Sequence, residues 1–199
     1  MGLSKKLIEQ GKKPTGFIGH IMLKIMNFAH KEIINWGLSK INIADNSIIL
    51  DLGCGGGETI KILSNYTKNG KVYGIDYSKE AIKTSAKVNK TAISNGKVVL
   101  KQSYISNIPF KDNFFNIITA FQTHYFWENL KTDIKEINRV LKDKGQFLLV
   151  AELYKIDYHM KEYKTPESME KLLLKSGFNN VNTFKTNKNI CFIAKKNKL

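Results

Sequence analysis

Two periodicities divide the chain. Up to about residue 44, apolar positions recur at three- and four-residue spacing: Ile18, Met22, Ile25, Met26 and Ala29, then Ile33, Ile34 and Trp36. That is helical spacing, and no strand pattern interrupts it. From Ser47 onward, short unbroken apolar runs alternate with helical stretches. The runs predict strands over 47–52 (SIILDL), 71–76 (KVYGID), 98–102 (VVLKQ), 115–121 (FNIITAF), 146–152 (QFLLVAE), 181–185 (VNTFK) and 189–195 (NICFIAK). Helices are predicted over 58–65, 79–95, 130–141 and 165–176. Ser78 is placed to cap the second of these and Gly96 to stop it. Pro166 suits the first turn of the last, and Gly177 its end. Only Thr186, Asn187 and Lys188 separate the final two runs, which predicts an antiparallel hairpin.

Strand–helix alternation predicts a parallel sheet with helices on both faces. Unbroken apolar strands such as IILDL and FLLVAE agree, because strands of that kind are covered on both sides. The expected fold is therefore α/β: a Rossmann-like, seven-stranded, mostly parallel sheet with a C-terminal antiparallel hairpin. Residues 1–44 form a helical extension and residues 45–199 the main domain.

Composition narrows the class. The chain has 199 residues, 42% hydrophobic and 25% charged, which suits one globular domain and excludes wholesale disorder. No apolar stretch reaches the roughly 20 residues that cross a bilayer. The start, MGLSKKLIEQGKK, lacks a secretory apolar core, and Lys6 stands where a myristoylation signal needs Ser or Thr. Cys54 and Cys191 make no disulfide framework. A soluble, cytoplasmic protein without membrane insertion is expected. The formal net charge is +15, yet Arg139 is the only arginine among 32 basic residues. Nucleic-acid readers favour arginine, so scattered lysines read as a solvated coat rather than a nucleic-acid surface.

The chemistry concentrates in LDLGCGGGE, Leu50 to Glu58. A buried strand ends, glycines follow, and a helix opens. Ligands of such sheets bind at the carboxyl ends of the strands. A dinucleotide fingerprint would place a third glycine where Glu58 stands. A carboxylate there disfavours a pyrophosphate, and Asp51 adds a second acid. These acids suit a cationic ligand, such as S-adenosylmethionine with its sulfonium and ammonium. Asp76 follows 19 positions after Gly57, at a strand end where a carboxylate can bind ribose hydroxyls.

Four segments, ILDLGCGGGET (49–59), VYGIDYSKEAI (72–82), IPFKDNFFNIITAF (108–121) and INRVLKDKGQFLLV (137–150), occur in order at a recognisable spacing. With them the chain resembles the class I S-adenosylmethionine-dependent methyltransferases, most of all the small group that includes ubiquinone/menaquinone C-methyltransferases. The resemblance implies that Asp51, Gly53, Cys54 and Gly55 hold the methionine part of the cofactor. It implies Asp76 for the ribose and Tyr77 for the adenine. Where the family often has an acid for the adenine amino group, this chain has Ser103 or Tyr104, with the Ile105 N–H beside them. Asn116 stands where the family often has aspartate, read as a structural substitution. The N-terminal region, with His20, Asn27, His30 and Trp36, would close over the pocket as a lid.

The acceptor side is read from FQTHYFWEN (121–129). Gln122, His124, Tyr125 and Trp127 follow the fourth strand and face the cofactor or acceptor, with Glu152 bordering from the fifth. His124, with an ordinary pKa of about 6.5, is the candidate general base. The histidines show no zinc spacing, so no metal is expected, and Cys54 and Cys191 read as packing residues. The favoured expectation is a methyltransferase acting on a small molecule. An RNA methyltransferase is the first alternative. It is disfavoured because Gln122-Thr123-His124-Tyr125 replaces the Asn/Asp-Pro-Pro-Tyr/Phe motif of base-methylating relatives. A nicotinamide oxidoreductase lacks its third glycine and its Tyr-x-x-x-Lys. A non-catalytic cofactor-binding protein is the remaining class.

Overall fold

The computed structural model describes residues 30–196. Helix α1 (Lys31–Leu38) is followed by strand β1 (Ile48–Leu52), helix α2 (Glu58–Tyr66) and strand β2 (Lys71–Asp76). Helices α3 (Lys79–Val88) and α4 (Lys90–Ser94) lead to β3 (Val98–Gln102). Then come β4 (Phe115–Phe121), α5 (Leu130–Val140), β5 (Leu141–Glu152), α6 (Leu153–His159), α7 (Pro166–Lys175), β6 (Phe178–Lys185) and β7 (Asn189–Lys196). Short 3-10 turns at Ile105–Asn107 and His124–Phe126 flank β4.

The seven strands form one sheet in the order β3-β2-β1-β4-β5-β7-β6. Pairs among β3, β2, β1, β4 and β5 are parallel. β7 pairs antiparallel with both β5 and β6. The chain therefore adopts the expected seven-stranded, mostly parallel sheet with a terminal hairpin. Side chains alternate across it. Leu50, Leu52, Ile118 and Phe147 join the core under α5, α6 and α7. Ile49, Ile117, Leu148 and Val150 join the core under α1 and α2. Both faces are covered, which is why the central strands are apolar at most positions.

The sheet order reverses between β1 and β4, so their carboxyl ends open a crevice. The register brings Asp51 opposite Gly74 on one side and Thr119 on the other. Caps match the local pattern: Ser78 accepts from the Ala81 N–H and Thr165 from the Ser168 N–H.

Four features depart from the expected elements. The helix expected over 79–95 breaks at Asn89, whose side-chain amide donates to the carbonyls of Gly57 and Ser85. Asn89 thus serves the glycine loop instead of continuing a helix. The turn at 142–145 survives as an irregularity within β5, with Lys144 at φ 63°, while Leu141 still pairs with Phe115. β6 begins three residues early, at Phe178, because that ring packs against Phe147 in the core. Helix α6 had no sequence signal. Of the N-terminal helical extension, only α1 lies within the described residues, and the expected lid segment before it lies outside them, His20 included.

Candidate active site

A cavity of about 300 Å³ opens at the carboxyl ends of β1, β2 and β4. Its floor is the glycine loop. Gly53 and Cys54 both donate their N–H groups to the Ile75 carbonyl, at 2.9 and 3.0 Å, which ties the loop to β2. Gly53 has φ +67°, and a Cβ there would stand 2.6 Å from Thr123 Cγ2. Gly57 has φ +88°, and its Cβ would meet the Ser85 Cα at 2.7 Å. Only glycine allows both the left-handed turn and these close approaches.

Asp76 ends β2 and faces the cavity. Its Oδ2 accepts the Gly55 N–H at 3.0 Å and its Oδ1 accepts the Ser78 N–H at 2.9 Å. Burial pushes its carboxyl above the usual range, and these two N–H groups oppose that. Each oxygen retains a lone pair for a ligand hydroxyl. Tyr77 and Tyr104 stack with ring centres 6.0 Å apart and line one end of the cavity with Ser103, Ile105 and Ser106. The Ser103 hydroxyl is bound to the Asn107 carbonyl at 2.9 Å.

Asp51 does not line the cavity. It is buried beneath the loop, with Thr119 donating to its Oδ1 at 2.7 Å. Burial, then the neighbouring Asp76 charge, outweigh that bond and push its carboxyl up to about 7. Cys54 lines the cavity, but burial drives its thiol well above the ordinary value. Asn116 accepts the Ile48 N–H at 2.9 Å and does a purely structural task.

The other wall comes from α1 and the segment after β4. Ile34, Phe121, Gln122, Thr123, Phe126 and Trp127 line it, together with His30. Gln122 has φ +60° and an amide already committed. Its Oε1 accepts from Tyr125 Oη at 3.2 Å and from the Glu152 N–H at 3.0 Å, and its Nε2 donates to Glu152 Oε2 at 2.7 Å.

His124, the candidate base, lies outside the cavity. The 3-10 turn directs Phe126 and Trp127 into the cavity and His124 and Tyr125 to its far side, where they border a second, separate hollow with His159 and Tyr163. His124 is buried, and among the described residues neither ring nitrogen has a hydrogen-bond partner. Burial lowers its pKa to about 3. Tyr125 and Glu152 likewise stand behind the wall and act through Gln122. The sequence passed over Glu128 and Asp133, which line the cavity near α5. Burial raises Asp133 to about 6.

Arg139 is a clamp. It bonds Glu136, Asp112 and the carbonyls of Ile108 and Phe110, fastening the loop before β4 to α5. Among the described residues no helix is long and apolar enough to cross a membrane, and no group of three His, Cys, Asp or Glu is placed to hold a metal ion.

Comparison with known proteins agrees with this geometry. The methyltransferase domain family matches residues 50–149. An uncharacterized protein of Methanocaldococcus jannaschii is 35% identical over 139 residues, 69% of this chain and 48% of its own length. The demethylmenaquinone methyltransferase of Lactiplantibacillus plantarum is 32% identical over 108 residues, 53% of this chain and 45% of its own length. This chain thus spans about half of each relative. A crystal structure of a SAM-dependent methyltransferase from Aquifex aeolicus superposes with a TM-score of 0.73 at 19% identity, over 88% of this chain and 97% of that one. The glycine loop, the aspartate ending β2, the sheet order and the family match converge: the chain belongs to the methyltransferase domain family, in the class I S-adenosylmethionine-dependent group.

Proposed function

We propose that this chain moves a methyl group from S-adenosylmethionine to a small-molecule acceptor held in the 300 Å³ cavity. One observation carries the reading. The chain has a formal net charge of +15, yet the described residues lining the cavity include Glu58, Asp76, Glu128 and Asp133 and neither lysine nor arginine. The cavity inverts the charge of the surface. A ligand bearing a sulfonium and an ammonium is attracted by that lining, whereas a pyrophosphate or an RNA phosphate is repelled. The only arginine is spent on a loop clamp.

The residues fit the cofactor. Gly53, Cys54 and Gly55, with Asp51 beneath them, would hold its methionine part; Asp76 the ribose; Tyr77, Tyr104 and Ile105 the adenine. Bound there, it supplies an activated methyl on a sulfur whose positive charge is lost on transfer. The chain contributes alignment and dryness. Ile34, Phe121, Phe126 and Trp127 exclude water from the acceptor side, which favours loss of charge. Holding the acceptor in line can contribute roughly 7–11 kcal/mol. Cys54, kept as a neutral thiol, does not compete as a nucleophile.

Calorimetry against S-adenosylmethionine, S-adenosylhomocysteine and NAD, followed by labelled-methyl transfer to phenol, thiol, amine and transfer-RNA panels, tests this. Binding of the first two ligands and transfer to a small acceptor are expected. NAD binding overturns the cofactor. Transfer only to RNA, with steep salt dependence, overturns the acceptor class.

A further inference from the structure

Among the described residues lining the cavity, Gln122 alone, glycines aside, has a left-handed backbone, with φ +60°. It stands one residue past β4, where the parallel ladder with β5 would run on. In a continuing ladder its N–H donates to the Val150 carbonyl, and its main-chain carbonyl accepts the Glu152 N–H. The first bond is made, at 2.9 Å. The second is not. The Glu152 N–H donates instead to the Gln122 side-chain Oε1, at 3.0 Å. The amide oxygen thus takes the carbonyl's place in the sheet, and the left-handed turn swings the carbonyl out of it. Gln122 is buried, yet that carbonyl accepts no hydrogen bond among the described residues. Buried main-chain acceptors are nearly always paired, and in a cavity wall the partner is a ligand's donor.

The amide is held from behind. Tyr125 Oη donates to Oε1 at 3.2 Å, and Nε2 donates to Glu152 Oε2 at 2.7 Å. The same carboxylate oxygen stands 2.6 Å from the Lys155 ammonium on α6. Lys155 also lies 3.1 Å from Nε2 of His30, which can only accept from it. Burial, then the Lys155 cation, lower the His30 pKa to about 4, so the ring stays neutral. Glu152 and Lys155 form an ion pair, so what the network offers the cavity is a carbonyl dipole.

Position names the donor. A Cβ on Gly53 would meet Thr123 Cγ2 at 2.6 Å, so the peptide joining Gln122 to Thr123 borders the start of the glycine loop. Two of the loop's own carbonyls are already taken, that of Cys54 by the Gly57 N–H and that of Gly57 by the Asn89 amide. An ammonium brings three donors and needs acceptors at that place. Resting on the methyltransferase reading above, we infer that the Gln122 side chain substitutes for its own carbonyl in the sheet so that the carbonyl binds the cofactor's ammonium, and that Tyr125, Glu152 and Lys155 are positioning residues that lock the amide in that role.

Gln122–Thr123 is the sole Gln-Thr step in the sequence, so carbon-13 carbonyl glutamine combined with nitrogen-15 threonine marks this peptide alone. Two probes are titrated into the whole chain by calorimetry and by spectra of the marked peptide: S-adenosylhomocysteine and its desamino analogue, which lacks only the ammonium. The first should shift the marked carbonyl and bind at least about tenfold more tightly than the second, which should leave that signal in place. Gln122→Ala lets the Glu152 N–H recapture the carbonyl. It should weaken S-adenosylhomocysteine at least about fivefold and leave the desamino analogue within about twofold. Glu152→Ala should cause a smaller loss with the same selectivity, and Glu152→Gln, which keeps an acceptor for the amide, should restore it. Equal losses on both probes in Gln122→Ala mark a merely structural amide and overturn the inference. A wild type that binds both probes equally, or whose marked carbonyl does not respond, overturns it as well. The wild-type spectra and the Glu152 pair decide the matter even should Gln122→Ala fail to fold. Failure of both probes to bind the wild type overturns the methyltransferase reading instead.

Discussion

The two walls of the cavity are built on opposite principles. The wall made by β1, the glycine loop and β2 is local. Asp51, Gly53, Gly55 and Asp76 follow one another over 26 residues, and each is positioned by backbone geometry or by a neighbour on an adjacent strand. The wall made by α1 and the segment after β4, with β5 and α6 behind it, is assembled from distant segments. His30 meets Lys155 across 125 positions, and Gln122 meets Glu152 across 30. The first wall tolerates only certain backbones. The second tolerates many backbones and depends on which side chains face inward. His30 and His124 show the consequence. His30 is half-buried and His124 fully buried, both with depressed pKa values, but among the described residues one is partnered and lines the cavity, and the other is unpartnered and lies outside it.

The comparison breaks most visibly at Gly57. Gly57→Ala adds a left-handed alanine and a clash with the Ser85 backbone, and should destabilise the fold by about 3 kcal/mol in denaturant unfolding. A loss below about 0.5 kcal/mol would show that the loop yields and that backbone does not define this wall. Next in size, Asp76→Ala should weaken S-adenosylmethionine binding by about 1.5–3 kcal/mol, the scale of a hydrogen bond to a charged group. Unchanged calorimetric affinity removes Asp76 from the cofactor site.

A third measurement separates the walls by pH. Asp51 holds its proton more tightly folded than unfolded. Its stability contribution is complete below its ordinary value of 3.8 and is lost as pH rises through about 7. A cationic ligand above it favours the carboxylate and so expels the proton. Affinity for S-adenosylmethionine should therefore rise with pH, by at most about tenfold per unit, and level off near pH 7. Titrations from about pH 5.5 to about pH 8.5 in buffers of different ionisation enthalpy check it; a flat profile without proton release contradicts it.

The smallest effect is expected at His124. Its two nitrogens are buried without partners among the described residues, so a phenyl ring of similar shape should cost little. His124→Phe should keep the folding stability within about 1 kcal/mol of wild type or raise it, with turnover unchanged. A marked loss of turnover would return His124 to the site and erase the contrast with His30.

Much of this was legible in the residues. Unbroken apolar strands announced a sheet covered on both faces, Ser78 and Thr165 announced helix starts, and the glycine loop with Asp76 announced where the cavity opens. Other features were not legible, for identifiable reasons. Asn89 lies in a helical pattern, and nothing local shows that its amide is needed by the Gly57 carbonyl 32 positions away. Helix α6 is seven residues long, too short for periodicity to reveal, yet it carries Lys155. The turn after β4 presented His124, Tyr125, Phe126 and Trp127 in a row, and spacing alone does not say which two a 3-10 turn points inward.

What the amino-acid order determined by itself was the sheet, its layers and the glycine-loop wall, because strand burial, turn geometry and the reach of a glycine loop act over a few residues. What tertiary structure alone decided was the inversion of charge inside a lysine-coated chain and the placement of His30, not His124, in the cavity wall. Those depend on which side chains from separate segments share one low-dielectric space, where burial and a single neighbouring cation set a histidine's protonation more strongly than its own chemistry does.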